Sequence, residues 1–242
     1  MDGQLEKQAR AMVRRSLKGA LGTLDQTSGA PYVSMVGVAT DTAGQPILLL
    51  STLARHTANL AADPRASLLL DHTDASGDPV SGQRLTLTGR LEPACDASVR
   101  RRYLARHPSA AVYADFADFS FWRLEIQSGH SIAGFGRIQQ MRGKDLRLEP
   151  DGLGPFSAGE ATLVDDWNAA MPVRLQRLVA SLPPAADVAV GQDAGPCPHD
   201  SWTITGVDPE GVDLRAGTAT SRLSFPGRIV AIAQAGTWSN AM

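Results

Sequence analysis

The chain has 242 residues, a hydrophobic fraction of 43% and a formal net charge of −2. That hydrophobic fraction supports a buried core and argues against an intrinsically disordered protein. Lys and Arg are spread along a nearly neutral chain, so we expect no nucleic-acid partner. Cys95 and Cys197 form no C-x-x-C pair, which argues against a disulfide framework and a structural zinc site. Because no apolar run approaches the roughly 20 residues of a membrane span, we expect a cytoplasmic protein without a membrane partner.

The first part of the chain combines helix and strand patterns. Residues 2–18 carry apolar side chains at helical spacing, and Asp63-Pro64 ends a second helical segment at 54–62. Apolar or alternating segments between polar turns predict strands at 20–24, 32–40, 47–50, 66–71, 84–91, 119–126 and 131–135, and a further helix is expected at 97–106. Short strands separated by turns, with helices inserted between them, predict a small antiparallel β-barrel.

The second part of the chain predicts a separate, smaller domain. Residues 142–158 are rich in Gly and Pro, as linkers are. Beyond them we expect a helix at 161–181 and strands at 202–207, 211–215 and 221–225. The predicted fold class is α+β. An N-terminal antiparallel barrel with inserted helices spans residues 1–140, a linker spans 141–158, and a C-terminal α+β domain spans 159–242.

Polar side chains are concentrated where the strand at 47–50 gives way to the helix at 54–62. They are Ser51, Thr52, Arg55, His56 and Thr57. The free N–H groups and the dipole of a helix N-terminus favour an anion, and an arginine can hold a phosphate through two parallel hydrogen bonds. These residues therefore predict a phosphate-binding corner. The alternative from the residues alone is an ordinary helix start, in which Ser51 or Thr52 caps the helix while Arg55 and His56 are solvated.

Several segments resemble, in the same order, the HugZ-like branch of the FMN-binding split-barrel family related to pyridoxamine 5′-phosphate oxidase. The segments are residues 51–60 (STLARHTANL), 62–69 (ADPRASLL), 84–89 (RLTLTG), 103–108 (YLARHP), 116–119 (FADF) and 134–137 (GFGR). The resemblance covers about residues 8–140. It implies a split β-barrel that binds FMN at the interface of a homodimer. Residues 200–214 and 222–226 are similar to the small α/β domain often fused behind such barrels.

The resemblance also implies roles for individual residues. The strand that carries Val36, Gly37 and Val38 would offer backbone groups to the isoalloxazine ring. The FMN phosphate would be held by Ser51, Thr52, Arg55, His56 and Thr57. Arg84 falls near the position where the oxidases place a polar side chain beside the ring. The resemblance assigns no catalytic side chain and no metal ligand.

The function implied is that of an oxidoreductase in which non-covalent FMN exchanges electrons with a small or planar substrate. The alternative is a non-catalytic protein that binds or stores haem or flavin on the same barrel. In the small domain fused behind such barrels the leading helix usually carries a run with histidines, but the equivalent segment here, residues 165–172, contains none. Haem-degrading relatives use a histidine in the C-terminal portion as the ligand to haem iron. The remaining C-terminal histidine, His199, lies in a Pro-rich segment typical of a surface turn.

Overall fold

The computed structural model describes residues 2–72, 82–133, 138–149, 153–170, 188–189, 202–217 and 219–229. Contacts divide the chain into two compact units, residues 1–148 and 149–242. The first unit contains the helices α1 (Asp2–Arg15), α2 (Arg55–Ala62), α3 (Ala97–Arg106) and α4 (Gly143–Leu146), and a 3₁₀ helix at Pro108–Val112. Its strands are β1 (Lys18–Leu24), β2 (Pro31–Gly37), β3 (Ala39–Thr40), β4 (Pro46–Ser51), β5 (Arg65–His72), β6 (Gln83–Pro93), β7 (Phe119–Ala133) and β8 (Ile138–Arg142). The second unit contains α5 (Leu153–Ala170) and the strands β9 (Val188–Ala189), β10 (Thr203–Asp208), β11 (Gly211–Ala216) and β12 (Ala219–Ser224).

The first unit is built around one antiparallel sheet. The strand order is β2-β1-β5-β6-β7-β4-β3, and β8 pairs with the second half of β7. β2 and β3 lie at opposite ends of this order but are separated in the chain by Val38 alone, so the sheet must curl until its two ends approach each other. The predicted mixed helix-and-strand class with a curled antiparallel sheet is confirmed.

Alternating side chains give this sheet a buried face and an outer face. Leu21, Leu68 and Leu87 face one another across β1, β5 and β6, and each is 0% exposed. On the next row Leu69 pairs with Ala20 and points to the outer face, where 39% of the leucine is exposed. The two-residue period of a strand explains this division, because successive side chains point to opposite faces. The apolar face of α1 joins the buried side.

The end of the first unit differs from the expectation. The sequence predicts two strands at 119–126 and 131–135, whereas β7 is one continuous strand. The polar middle of β7 has the composition of a turn, but β6 pairs with it on one side and β8 on the other. β8 and α4 occupy residues 138–146, where the sequence predicts the barrel end and a linker. They belong to the first unit because Leu146 is buried against Gly129 of β7.

α5 also occupies part of the predicted linker, since it begins at Leu153 rather than near residue 161. Gly154 and Pro155 suggest a linker, but both lie in the first turn of the helix, where a missing proline N–H costs no helical hydrogen bond. Phe156 and Trp167 both belong to the buried cluster of the second unit, which explains why the helix extends this far. Residues 171–181 of the predicted helix lie outside the described residues.

In the second unit α5 lies along the edge of a four-stranded antiparallel sheet of order β10-β11-β12-β9. Asn168 bonds both backbone groups of Ile204: its Nδ2 donates to the carbonyl oxygen at 3.0 Å and its Oδ1 accepts the N–H at 2.8 Å. The buried Glu160 accepts the N–H of Val207 at 3.0 Å. These side chains therefore satisfy backbone groups that an edge strand would otherwise offer to another chain. No helix in the described part of the chain is long and apolar enough to cross a membrane, and the cytoplasmic location stays a prediction.

His72, at the end of β5, contacts the C-terminal end of α1. Its Nε2 lies 2.9 Å from Oγ of Ser16, which lies 2.9 Å from the carbonyl oxygen of Met12. Burial, together with the nearby charge of Arg15, lowers the pKa of His72 to about 4. Between pH 6.5 and about pH 4, His72 is therefore mostly neutral in the folded protein and mostly protonated in the unfolded chain.

We expect the free energy of unfolding to fall as the pH is lowered from 6.5 towards 4, because His72 takes up a proton in the unfolded chain but not in the folded one. The full difference is about 3 kcal/mol. Urea denaturation at pH 7 and at pH 4.5 measures this loss in the wild type and in His72→Gln, and the variant should lose markedly less. His130→Gln, at an exposed position, is the control and should behave as the wild type. Equal losses in all three proteins would contradict the prediction.

Candidate functional site

The start of α2 is fixed against the hairpin formed by β1 and β2. Asn59 of α2 is 0% exposed. Its Nδ2 donates to Oγ1 of Thr23 at 3.0 Å, and its Oδ1 accepts the N–H of Gln26 at 3.0 Å. Leu60, next to Asn59, joins the main core of the unit. The corner predicted from the sequence therefore lies beside the turn of this hairpin.

α2 begins without a side-chain cap. Its N-cap residue is Ala54, which has no side-chain acceptor, and neither Ser51 nor Thr52 takes that role. Oγ of Ser51 instead accepts a backbone N–H in the loop before the helix, at 3.1 Å. Within the described residues, the backbone N–H groups of Arg55 and His56 meet no acceptor. The capping alternative is therefore wrong, and the free N–H groups are of the kind that binds an anion.

The hydroxyl groups of the corner are not equally available. Oγ of Ser51 donates to Oδ2 of Asp118 at 2.6 Å, and Oγ1 of Thr57 donates to the carbonyl oxygen of Ser51 at 2.7 Å. Each hydroxyl has one proton, so these two bonds use the donors of Ser51 and Thr57. Thr52 is exposed, and the described part of the chain supplies no partner for its side chain. Thr52 is thus the predicted hydroxyl that remains free to donate to an anion.

The guanidinium of Arg55 lies beside a carboxylate and over an aromatic ring. Its Nε and Nη2 donate to Oδ2 of Asp25 at 2.9 and 2.7 Å. Its central carbon lies 4.8 Å from the centroid of the Tyr32 ring, which is a cation–π distance. Arg55, with the N–H and hydroxyl of Ser28, holds the pKa of Asp25 well below its usual range. The side chain of Arg55 is still 60% exposed, and no acceptor among the described residues meets Nη1.

His56 is turned towards β2. Its Nδ1 lies 2.9 Å from Oγ of Ser34. Burial lowers the pKa of His56 below its ordinary value of 6.5, so the ring is neutral at pH 7. Neutral imidazole can form hydrogen bonds with an anion but brings no charge. Arg55 is therefore the cation of the predicted phosphate set.

One edge of β2 pairs with β1, and no described strand pairs with the other edge. Two backbone hydrogen bonds at the ends of the hairpin show which residues of β2 point their backbone groups at β1. The N–H of Val38 donates to the carbonyl oxygen of Leu17 at 2.9 Å, and the N–H of Asp25 donates to that of Ala30 at 2.8 Å. Because an antiparallel pair alternates between residues that face the partner and residues that face away, Val36 and Val38 face β1 and Gly37 faces away. Nε2 of His107 also lies 2.8 Å from the carbonyl oxygen of Val38. Of the three residues predicted beside the ring, Gly37 is the one with outward-facing backbone groups.

Arg84 is not on the segments that form the corner. It is on β6, opposite Asp71 of β5 and Ile132 of β7. β5 and β1 lie between β6 and β2 in the strand order of the sheet. Nη1 of Arg84 donates to the carbonyl of Gly82 at 3.4 Å. A role for Arg84 beside the ring stays a prediction.

Four residues of the corner are not apparent in the sequence pattern: Asp25, Tyr32, Ser34 and Asp118. The segment around Asp25 has the composition of a turn, and an aspartate there predicts local bonds to the following N–H groups. Its bond to Arg55 joins residues 30 positions apart. Such a contact follows from the packing of α2 on the hairpin, which a local pattern does not report.

Comparison with known proteins places the first unit in a family. A family model described as CREG, beta-barrel matches residues 4–146. The chloroplastic heme oxygenase HOZ of Arabidopsis thaliana is 40% identical over 134 residues, which cover 53% of this chain and 40% of that protein. This chain therefore spans less than half the length of that curated relative.

Two solved structures are similar along nearly the whole chain. A protein of unknown function from Agrobacterium tumefaciens str. C58 superposes with a TM-score of 0.79 at 27% identity, covering 99% of this chain and 95% of that one. A heme binding protein from Mycobacterium smegmatis superposes with a TM-score of 0.56 at 26% identity, covering 98% of this chain and 94% of that one. Since the family model spans more than half of the sequence, the chain belongs to the CREG beta-barrel family.

Proposed function

We propose that this chain is an FMN-binding flavoprotein that acts in the oxidation or reduction of a small or planar substrate. The observation that carries the proposal is the uncapped start of α2 next to the partly free guanidinium of Arg55. Backbone N–H groups and an arginine edge are groups that hold a phosphate. The ordered resemblance to FMN-binding split barrels, within the HugZ-like branch, supports the same ligand.

The corner fits an FMN phosphate with fewer residues than the sequence suggests. The N–H groups of Arg55 and His56 and the hydroxyl of Thr52 would donate to phosphate oxygens, and Arg55 would supply the positive charge. Ser51 and Thr57, whose hydroxyl protons are used within the loop, would shape the site without donating to the phosphate.

Bound FMN would supply the capacity to accept and release electrons, while the chain positions the ring. The outward backbone groups of Gly37 are available to the polar edge of the isoalloxazine. Val36 and Val38 would act by fixing the path of β2, and Arg84 would act through its charge. Fold similarity alone does not identify a substrate. The proposed substrate class, small or planar, rests on the resemblance to FMN-binding split barrels.

We also propose a homodimer with the ligand at its interface. Val33, Met35 and Leu69 lie on the outer face of the first sheet with 63%, 66% and 39% of their surfaces exposed. Met35 and Leu69 share one row, because both pair with Ala20 of β1. An exposed apolar row of this kind is a surface that a second copy can cover. Sedimentation of the ligand-loaded protein should report two chains per particle.

Haem is the second candidate ligand, and the similarity of the barrel to the heme oxygenase HOZ favours it. Haem resembles FMN in having a planar ring with anionic groups, so its carboxylates could use the same corner. A histidine ligand to haem iron needs a free ring nitrogen. His56, His72, His107 and His130 each have one ring nitrogen bonded within the fold. His130, whose Nδ1 lies 3.2 Å from Oε1 of Gln140, is the exposed one of the four. His199 lies outside the described residues.

The visible absorption spectrum of the purified protein separates these candidates. FMN predicts flavin bands that stay with the protein on gel filtration and are released by heat, whereas haem predicts a Soret band. A colourless preparation should be titrated with FMN, riboflavin and haemin. FMN binding that is about tenfold tighter than riboflavin binding, or more, supports the phosphate corner, because only FMN carries a phosphate. A protein that takes up no FMN contradicts the proposal, and uptake of haemin alone replaces it with the haem candidate.

A further inference from the structure

We infer that Asp25 and Tyr32 are positioning residues, which hold Arg55 in the orientation that receives the anion. This inference rests on the proposed phosphate site and explains how the cation of that site, Arg55, is oriented. It gives the hairpin of β1 and β2 a part in recognising the phosphate. The two residues act through Arg55, and neither needs to touch the ligand.

Asp25 occupies one edge of the Arg55 guanidinium. A guanidinium carries five N–H groups, and two adjacent groups can bind two oxygens of a phosphate. Nε and Nη2 of Arg55 both donate to the same Oδ2, so Asp25 uses the side-on edge. The remaining N–H groups lie on the edge shared by Nη1 and Nη2 and on the far side of Nη1. The edge formed by Nη1 and Nη2 is thus left to bind an anion through two hydrogen bonds.

Tyr32 restrains the plane of the same guanidinium. The ring centroid lies 4.8 Å from the guanidinium carbon, and rotation of the plane away from the ring would also disturb both bonds to Asp25. The side chain of Arg55 is 60% exposed. A side chain this exposed would otherwise lose rotamer freedom when it binds an anion. Holding it in place beforehand removes part of that loss.

Asp25 is itself fixed by the turn between β1 and β2. Its Oδ1 accepts the N–H and the hydroxyl of Ser28 at 3.0 and 2.8 Å and the N–H of Thr27 at 3.3 Å. The side chain of Asp25 is only 9% exposed. Its two oxygens therefore have separate partners, since Oδ1 serves the turn and Oδ2 serves Arg55. A substitution that keeps Oδ1 and changes Oδ2 separates these two roles.

The direction of the effect on affinity distinguishes positioning from competition. Removal of a negative charge beside the site should strengthen anion binding by simple Coulomb attraction. If Asp25 merely competed with the phosphate for Arg55, its removal would strengthen binding further. If Asp25 positions Arg55, its removal weakens binding in spite of the favourable change in charge.

The first experiment is Asp25→Asn, which keeps Oδ1 for the turn and places at Oδ2 an amide nitrogen that cannot accept from Arg55. Asp63→Asn is the matched control, because Asp63 lies at the opposite end of α2 and pairs with Arg65 through the same two atoms, Nε and Nη2. We expect Asp25→Asn to weaken FMN binding about tenfold and to change riboflavin binding by less than about twofold. Asp63→Asn should leave both affinities unchanged. An FMN affinity in Asp25→Asn equal to or above that of the wild type overturns the inference.

Tyr32→Leu and Tyr32→Phe are an independent pair of variants, for use if Asp25→Asn disrupts the turn between β1 and β2. Phenylalanine keeps the ring under the guanidinium, whereas leucine removes it. We expect the leucine variant to bind FMN about threefold more weakly than the phenylalanine variant, with equal riboflavin affinities. Equal FMN affinities in the two variants remove Tyr32 from the inference.

A further experiment needs no flavin, and it separates failure of this inference from failure of the proposed function. Inorganic phosphate is titrated into the full chain while the Nε–H signal of Arg55 is followed by ¹⁵N NMR. The signal should stay in place as the backbone N–H signals of Arg55 and His56 shift. Movement of the Nε–H signal to its position in Asp25→Asn means that phosphate displaces Asp25, and this overturns the inference. The inference is also overturned if the backbone N–H signal of Arg55 does not shift. If phosphate binds as expected but flavin does not, the proposed function fails and the inference stands.

Discussion

Replacing Arg55 by alanine is expected to weaken FMN binding by about 100-fold, because a bidentate charge-assisted pair with a phosphate is worth about 3 kcal/mol. The side chain is 60% exposed, so its removal leaves no cavity in the core. Asp25 keeps its bonds to the turn when Arg55 is absent. The unit should therefore stay folded, and riboflavin affinity should change little. Fluorescence titration with FMN and riboflavin measures both affinities.

Arg65→Ala is the control for this experiment, because Arg65 is also exposed and also paired with an aspartate, Asp63. It should leave the FMN affinity within about twofold of the wild type. An unchanged FMN affinity in Arg55→Ala would show that Arg55 does not hold the phosphate. A parallel loss for FMN and riboflavin would indicate damage to the fold instead.

Replacing Arg222 by methionine is expected to destabilise the second unit by about 3–5 kcal/mol. Nη1 of Arg222 donates to Asp208 at 2.8 Å and to Asp213 at 2.7 Å, and Nη2 donates to Asp208 at 2.9 Å. None of the three side chains is more than 3% exposed. Burial disfavours the cation, but the two carboxylates outweigh burial and raise the pKa of Arg222 above its ordinary value. Methionine would leave two buried carboxylates without this guanidinium.

Urea denaturation at pH 7 measures the loss in Arg222→Met. Asp208→Asn and Asp213→Asn, added to Arg222→Met, should recover part of the stability. Arg142→Met is the control, since Arg142 is 72% exposed in its pair with Asp145. It should cost less than about 1 kcal/mol. Equal losses in the two methionine variants would argue against a structural role for the buried cluster.

Local pattern predicts the first sheet where each strand has one wet face. Leu85 and Leu87 alternate with Thr86 and Thr88, and the structure buries the leucines as that alternation predicts. The pattern fails in β7, because the composition around Gly129 resembles a turn while strands on both sides keep the chain extended. Pairing of this kind depends on distant segments, and local composition carries no record of it.

The start of α5 shows the same limit. Gly154 and Pro155 indicate a linker by composition, but the buried Phe156 makes the segment helical by packing on the second unit's core. Propensity is a weak prior, and tertiary contacts override it. The helix boundary could therefore not be predicted from residue types alone.

The strand-to-helix junction of the candidate site could be predicted from the sequence, whereas the bonds made by its side chains could not. A polar cluster between an apolar strand and a helix is a local pattern, and the structure has the loop and the helix start at that position. The availability of each hydroxyl depends on distant partners: Ser51 bonds Asp118, which lies 67 positions later. The orientation of Arg55 likewise depends on Asp25 and Tyr32.

A crystal structure of the protein grown with FMN tests the phosphate corner most directly. We expect phosphate oxygens within about 3.2 Å of the N–H groups of Arg55 and His56 and of the guanidinium edge formed by Nη1 and Nη2. Asp25 should remain bonded to Nε of Arg55 in that complex. FMN bound with its phosphate away from the start of α2 would contradict the proposed phosphate corner.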